Sequence, residues 1–158
     1  MWASGVKASA GDPVAVGFDS RFSLTRSTSY SFTKDVWALL IYQQTRWDEL
    51  GETDVPNTHR FVASAAGWYS FKAAADIKTL NSPGSLIMRF TINGAVSVKL
   101  TGQGKSNASE AGSYTITNIS GECYLDINDY VEVECYLDCG VDEMLGERCG
   151  TFQGHRFA

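Results

Sequence analysis

Residues 121–158 read GECYLDINDYVEVECYLDCGVDEMLGERCGTFQGHRFA, and this stretch decides the fold. The pentad Glu-Cys-Tyr-Leu-Asp occurs at 122–126 and again at 134–138. From Val131 to Asp138 apolar and polar residues alternate, and a period of two is typical of a half-buried strand. Asn128-Asp129 lies between the pentads and favours a turn, because both residue types tolerate left-handed backbone. The stretch therefore predicts a β-hairpin about residues 128–130.

The same stretch contains all four cysteines of the chain. In the register that the turn sets, Cys123 faces Cys135 across the hairpin, close enough for a disulfide, with two reduced and buried thiols as the alternative. Cys139 and Cys149 flank a turn-rich loop, where a bridge would add about 2–3 kcal/mol of stability. A zinc site is disfavoured, because Cys123 and Cys149 form no second closely spaced pair beside Cys135 and Cys139.

The composition bounds the class of protein. With 158 residues, 44 % of them hydrophobic, the chain is expected to form one domain with a sizeable core. Its net charge is −5, and it has no basic cluster. We therefore do not expect the chain to bind a nucleic-acid backbone, because phosphate binding requires clustered Lys and Arg. Membrane insertion is also not expected, because no apolar run approaches the length of a membrane span.

The first twenty residues differ from the rest of the chain. They are rich in Gly, Ala and Ser, and they predict an N-terminal arm at 1–20 followed by a head at 21–158. Trp2, Val14, Val16 and Phe18 are the candidates for anchoring this arm in a groove of another protein, and a loosely ordered terminus is the alternative. Residues 1–5 lack the features of a signal peptide, so we expect synthesis in a cytoplasm.

Between the arm and the C-terminal stretch the chain has strand and turn signals. Asn93-Gly94, flanked by apolar alternation, predicts a hairpin with a type I′ turn. Residues 36–44 predict a central strand, and the polar residues 46–60 predict a long loop. Residues 61–77 predict a further strand region. With eight to ten short strands and no convincing helix, the sequence predicts an all-β antiparallel sandwich or barrel.

No catalytic set emerges from the sequence. His59 and His155 are the two histidines of the chain, and neither lies in a recognisable nucleophile pattern. We therefore do not expect an enzyme.

Two acidic clusters supply weak candidates for calcium ligands, namely Asp48 and Asp54 in one, Asp142 and Glu143 in the other. Neither cluster matches the twelve-residue calcium loop, and solvated acidic loops are favoured. No cofactor is expected.

Five segments together resemble the globular head shared by complement one-q and tumour necrosis factor proteins, in particular its phage and bacterial branch. They are VWALLIYQQTRWDELGETD (36–54), RFVASAAGWYSF (60–71), RFTINGAVSV (89–98), YLDINDYVEVECYLD (124–138) and GTFQGHRFA (150–158). In the second segment Phe61, Gly67 and Tyr69 take the marked positions of the family, whereas Ser64 replaces its usual proline. In the last, Thr151, Phe152 and Gly154 match the closing strand.

This resemblance implies a ten-stranded jelly roll that assembles as a tight homotrimer. Tyr69, Phe71 and Phe152 are the candidates for positions at the threefold axis or in the core of the protomer. Such a trimer with a short arm fits a bacteriophage virion protein that decorates (cements) the capsid or forms a head fibre. The arm would then bind the major capsid protein or another virion protein, and the head would lie on the virion surface. The alternatives are a receptor-binding tail-fibre tip that contacts a host glycan or protein, and a bacterial surface or spore adhesin.

Overall fold

The chain forms a sandwich of two antiparallel β-sheets. The computed structural model describes residues 20–26, 30–78, 84–96, 100, 103–108, 114–139 and 143–157. These residues contain twelve strands and no helix, so the predicted all-β antiparallel sandwich is confirmed. In particular, no helix suited to crossing a membrane is present in the described part. Residues 1–19 of the predicted arm, with Trp2, Val14, Val16 and Phe18, lie outside the described residues.

The strands divide equally between two sheets. In chain order they are β1 (Arg21–Thr25), β2 (Tyr30–Phe32), β3 (Ala38–Leu39), β4 (Gln44–Asp48), β5 (Phe61–Val62), β6 (Gly67–Lys78), β7 (Gly84–Ile92), β8 (Ala95–Val96), β9 (Gln103–Ala108), β10 (Tyr114–Leu125), β11 (Tyr130–Cys139) and β12 (Glu143–Arg156). Sheet I has the order β10-β6-β12-β1-β4, and β2 also pairs with β12. Sheet II has the order β3-β11-β7-β8, and β5 and β9 pair with β11 and β7.

An aromatic cluster fills the space between the sheets. Alternate residues of β6, β7, β11 and β12 point inward, as the period of two requires, and Phe71 lies at the centre of the cluster. Its ring is within 6.2 Å, centroid to centroid, of five other rings: Phe22, Phe61, Tyr69, Phe90 and Phe152. Tyr69, Phe71 and Phe152 are each 0 % exposed in a single chain, so the structure places all three in the core of the protomer.

The predicted hairpin about residues 128–130 is wrong, and its cysteine register is wrong with it. β10 pairs with β6 in sheet I over twelve register positions, whereas β11 pairs with β7 in sheet II over nine. The turn after β10 therefore carries the chain from one sheet to the other. Cys123 and Cys135 are both buried and form no disulfide, which is the alternative of two reduced thiols that the sequence left open. A short Asn-Asp turn can join two strands of one sheet, as in a hairpin, or can connect strands of two different sheets, as the turn at 126–129 does here. We call this second kind of connection the arch. The local sequence does not decide between the two.

Two further segments differ from the prediction. Residues 36–44 form the two-residue strand β3 and then an irregular crossing in which Leu40 and Tyr42 are fully buried. The predicted loop 46–60 begins inside the edge strand β4. The predicted loop between Cys139 and Cys149 is largely strand, because β12 already starts at Glu143.

The predicted hairpin at Asn93-Gly94 is confirmed, and it interlocks with the arch. Both residues have positive φ, 54° and 74°, as a type I′ turn requires, and β7 pairs with β8 across them. The side chain of Asn93 donates to Asp129 at 2.8 Å and accepts from the backbone N–H of Tyr130 at 3.0 Å. The two turns therefore hold each other at one end of the sandwich.

Alkaline pH is expected to destabilise the fold through Cys135. Burial raises the pKa of this thiol from 9.0 to about 12, and the nearby Arg26 offsets this only in part. The unfolded chain ionises its thiol near the ordinary pKa, so stability that is present below this value is lost as the pH rises toward the folded pKa. The loss is about 1.4 kcal/mol per pH unit. Urea unfolding at a series of pH values between these limits measures this slope.

The matched control is Cys135→Ala, which has no thiol to ionise. This variant is expected to be less stable at neutral pH because of the lost volume, but its stability falls less steeply with pH. Burial also raises the pKa of Tyr42, so a residual slope remains in both proteins. Equal slopes in the two proteins would contradict the prediction.

Candidate functional site

The outer face of sheet I exposes large aromatic side chains. Trp68, Tyr124 and Phe157 are 47 %, 43 % and 52 % exposed. Trp68 and Tyr124 are register partners on β6 and β10, and their rings meet edge to face with centroids 6.1 Å apart. The backbone N–H of Phe157 donates to the carbonyl of Trp68 at 3.0 Å, which brings the third ring to the same end of the sheet. We call these three residues the aromatic patch.

Beyond the aromatic patch, the same face has a depression and then a second group of exposed apolar side chains. Ala74, Ser120 and Thr151 are small residues that line a depression of about 350 Å³ together with Lys72, Asn118 and Gln153. At the far end of β10, Tyr114 and Ile116 are about half exposed. Depressions and exposed apolar side chains of this kind are typical of surfaces that bind another protein.

The outer face of sheet II is different, because its aromatic and charged groups contact each other. The Arg89 guanidinium lies 3.7 Å from the centroid of the Trp37 ring and forms a salt bridge of 2.6 Å with Glu134. The ring of Trp37 also packs against Tyr136, with centroids 5.4 Å apart. Within the described residues, these groups are covered by their own neighbours. Of the two outer faces, that of sheet I therefore leaves more aromatic surface uncovered.

The first group of calcium candidates is occupied by the chain's own donors. Asp48 accepts from the backbone N–H groups of Glu52 and Thr53 at 2.9 and 2.7 Å, and also from the Thr53 hydroxyl. Asp54 accepts from the side chain of Asn57 at 2.9 Å. Among the described residues, no group of three or more His, Cys, Asp or Glu is arranged to hold a metal ion. The side chains of Asp142 and Glu143 lie outside the described part, as do those of Cys139 and Cys149.

Glu52 holds the loop of residues 49–60, which we call the acidic loop, to the rest of the sandwich. Its residue is 3 % exposed, and its carboxylate accepts from the hydroxyls of Ser20 and Ser64. The backbone N–H of Ser64 adds a third bond of 3.0 Å. Ser64 stands at the position where the pattern that this segment resembles has proline, which has no N–H to donate. The departure from the family pattern therefore has a structural purpose in this chain.

Glu52→Gln is expected to lower the free energy of unfolding by about 1–3 kcal/mol, because an amide NH₂ replaces one acceptor facing these donors. Urea unfolding at neutral pH measures the change. Glu49→Gln is the matched control. Glu49 forms an exposed salt bridge of 3.1 Å with Arg21, and such a pair contributes about 0–1 kcal/mol. A loss at Glu52 no greater than that at Glu49 would show that the buried carboxylate does not hold the loop.

The two histidines lie in different parts of the described structure. The backbone of His59 has a φ of 56° in the acidic loop, and its N–H donates to the carbonyl of Asp54 at 2.8 Å. His155 lies on the outer face of sheet I, with its ring 6.2 Å from that of Phe157. Neither imidazole is hydrogen-bonded to a Ser or Cys among the residues described, so the structure offers no activated nucleophile at either position.

The aromatic patch was not predicted from the sequence. The aromatic candidates named there, Tyr69, Phe71 and Phe152, are core residues, whereas Trp68 and Tyr124 were not among them. A signal was present, because Trp68 occupies an outward position between Gly67 and the inward Tyr69. Bulky aromatic residues on the polar side of an alternating strand indicate an interaction surface.

Comparisons with known proteins bear on the fold. No protein-family model matches the chain, and no curated protein matches its sequence. Among solved structures, the chain is similar to the globular domain of a zebrafish complement 1qA protein, with a TM-score of 0.68 and 15 % identity over 89 % of this chain and 98 % of that one. It is also similar to Eiger TNF from S. frugiperda (TM-score 0.62, 10 % identity, 89 % and 93 % covered) and to murine APRIL (0.59, 10 %, 88 % and 99 %).

At 10–15 % identity, these similarities establish the fold. The predicted jelly-roll sandwich of the complement one-q and tumour necrosis factor type is therefore confirmed. The narrower resemblance to the phage and bacterial branch stays a prediction.

Proposed function

We propose that this chain is a structural protein of a bacteriophage virion, a homotrimeric head that decorates the capsid or forms a head fibre. In this role it binds itself through the aromatic patch of sheet I and binds the major capsid protein, or another virion protein, through residues 1–20. The role is mechanical and adhesive rather than catalytic. The observation that carries the proposal is a jelly-roll head whose sheet I leaves an aromatic face uncovered.

Self-association is supported by the contents of that face. Trp68, Tyr124 and Phe157 expose about half of their surface, and burial of apolar area is worth about 25 cal/mol per Å². Aromatic side chains are enriched in the buried centres of protein interfaces. A ring of three copies requires a heterologous contact, in which this face meets a different surface of the next copy.

The virion role is supported by the resemblance of the five sequence segments, by the predicted arm and by the acidic composition of the chain. A net charge of −5 favours solubility and disfavours contact with packaged nucleic acid. The location on the virion surface is part of the same proposal, and so is the absence of a cofactor.

Two experiments test the proposal. Sedimentation velocity of the full chain at micromolar concentration is expected to give the mass of a trimer, and a monomer would overturn the assembly part. Gold labelling of purified particles with an antibody to the chain is expected to show label over the whole capsid. Label confined to a tail tip would favour the receptor-binding alternative, and particles without label would leave the bacterial adhesin.

A further inference from the structure

A second feature lies on the outer face of sheet I, where it spans β6, β12, β1 and β4 and shares Lys72 and Gln153 with the depression described above. It is a cleft of about 220 Å³ lined by Arg21, Phe22, Trp47, Ser70, Lys72, Gln153, Gly154 and His155. Register pairing explains its shape. Trp47 and Gln153 flank Ser23 on either side in the register, so a small buried side chain separates two large ones. The Gln153 amide donates to the Ser23 hydroxyl at 3.3 Å, which orients the amide along one wall.

One wall of the cleft is the indole of Trp47. This side chain is 47 % exposed, and it lies on β4, the edge strand that pairs with β1. Indole combines a flat apolar surface with one N–H donor, so it suits ligands that are flat and amphipathic. The cleft volume is below the roughly 300–1,000 Å³ of pockets for drug-sized ligands, so it has room for one ring.

The polar lining of the cleft is cationic. Arg21 and Lys72 contribute the charged side chains, while the chain as a whole is acidic. Arg21 is paired with Glu49 at 3.1 Å. Lys72 is exposed and has no acidic partner within 4.0 Å among the described residues, so its charge is available to an anion. The hydroxyl of Ser70 and the amide of Gln153 add neutral hydrogen-bonding groups.

We propose that this cleft binds a single saccharide unit that carries a carboxylate, of the hexuronic acid class. The apolar face of the sugar ring packs against Trp47, and the carboxylate pairs with Lys72 and Arg21. The ring hydroxyls bond to Gln153 and Ser70. A simple anion would use the cations but leave the indole wall uncovered, and a neutral sugar would leave the charge of Lys72 unpaired. An acidic sugar has both a ring face to cover the indole and a carboxylate to pair with the cation.

Isothermal titration calorimetry of the full chain tests the proposal, with sodium D-glucuronate, D-glucose and inorganic phosphate as probes. Glucuronate is expected to bind about tenfold or more tightly than either of the other two. Lys72→Gln and Trp47→Ala are each expected to weaken glucuronate binding by about tenfold. Lys105→Gln is the matched control, because Lys105 is an exposed cation on sheet II, 3.8 Å from Asp138, and its loss is expected to leave binding unchanged.

Each other outcome overturns the proposal. Absence of glucuronate binding removes the site, and equal binding of phosphate reduces it to a general anion site. Binding that survives both Lys72→Gln and Trp47→Ala places the sugar elsewhere. Sedimentation of the same samples shows whether a variant has lost its assembly, so failure of the cleft is distinguished from failure of the proposed trimer.

Discussion

Phe71→Ala is expected to lower the free energy of unfolding by about 3–5 kcal/mol, the range for removing a buried phenyl ring. Phe71 is 0 % exposed and contacts five aromatic rings with centroid distances of 5.5–6.2 Å. The cavity would open between the two sheets, where neither sheet can move inward without displacing the other rings. Since small domains have about 5–15 kcal/mol of stability in total, much of the fold's reserve would be lost.

The measurement is urea unfolding at one fixed protein concentration, because assembly makes apparent stability depend on concentration. Phe71→Leu retains most of the volume and is expected to lose less. Ile127→Ala is the surface control: Ile127 is 60 % exposed in the arch, so a change of about 0.5 kcal/mol or less is expected there. A loss at Phe71 of the same size as that at Ile127 would mean that the ring cluster does not hold the sheets together.

The alternation of residues 131–138 predicted the buried face of β11 correctly, since Val131, Val133, Cys135 and Leu137 are all 0 % exposed. Alternation is a local property, and the pleat of a strand converts it directly into inward and outward faces. The pairing partner is not local. β10 and β11 each carry a regular apolar face that would pair in a hairpin, yet β10 pairs with β6 and β11 with β7, strands that lie elsewhere in the chain.

The crossing at residues 40–43 shows a second limit. Leu40 and Tyr42 are buried and the intervening Ile41 is partly exposed, as in a strand, but the backbone there passes from one sheet to the other. The N–H of Leu40 donates to the carbonyl of Val133 on β11 at 2.8 Å, and the N–H of Gln43 donates to the carbonyl of Thr25 on β1 at 3.0 Å. Tyr42 instead lies over Phe152 with ring centroids 5.8 Å apart. An apolar run is compatible with either structure, because burial alone does not require a hydrogen-bonded neighbour strand.

The candidate site was harder to predict than the core. An exposed Trp68 and a buried Tyr69 are adjacent aromatic residues, and composition gives them equal weight. Only the side of the sheet on which each residue lies separates a core position from a surface patch. The same holds for Trp47, whose place in a cleft depends on the pairing of β4 with β1, which is not visible in the sequence of either strand.

Trp68→Glu is expected to convert the proposed trimer to monomers while leaving the protomer folded. Trp68 points away from the core and is 47 % exposed in the single chain, so the substitution creates no cavity within it. In an assembly that buries this face, the variant loses an aromatic contact of the kind that contributes about 2 kcal/mol or more to binding. It also places an unpaired carboxylate in a desolvated interface, which is a further cost.

Sedimentation velocity over a range of micromolar concentrations measures the effect, with circular dichroism to verify the fold. Val36→Glu is the matched control, because Val36 is an exposed apolar residue, 51 % exposed, just before Trp37 on the side of sheet II. The control introduces the same charge and is expected to sediment as the unaltered protein does. If Trp68→Glu also stays trimeric, the copies meet through a different surface, and the aromatic patch must be assigned to another partner. If both variants dissociate, added negative charge in an already acidic chain is sufficient to separate the copies, because like charges repel wherever they lie on the surface.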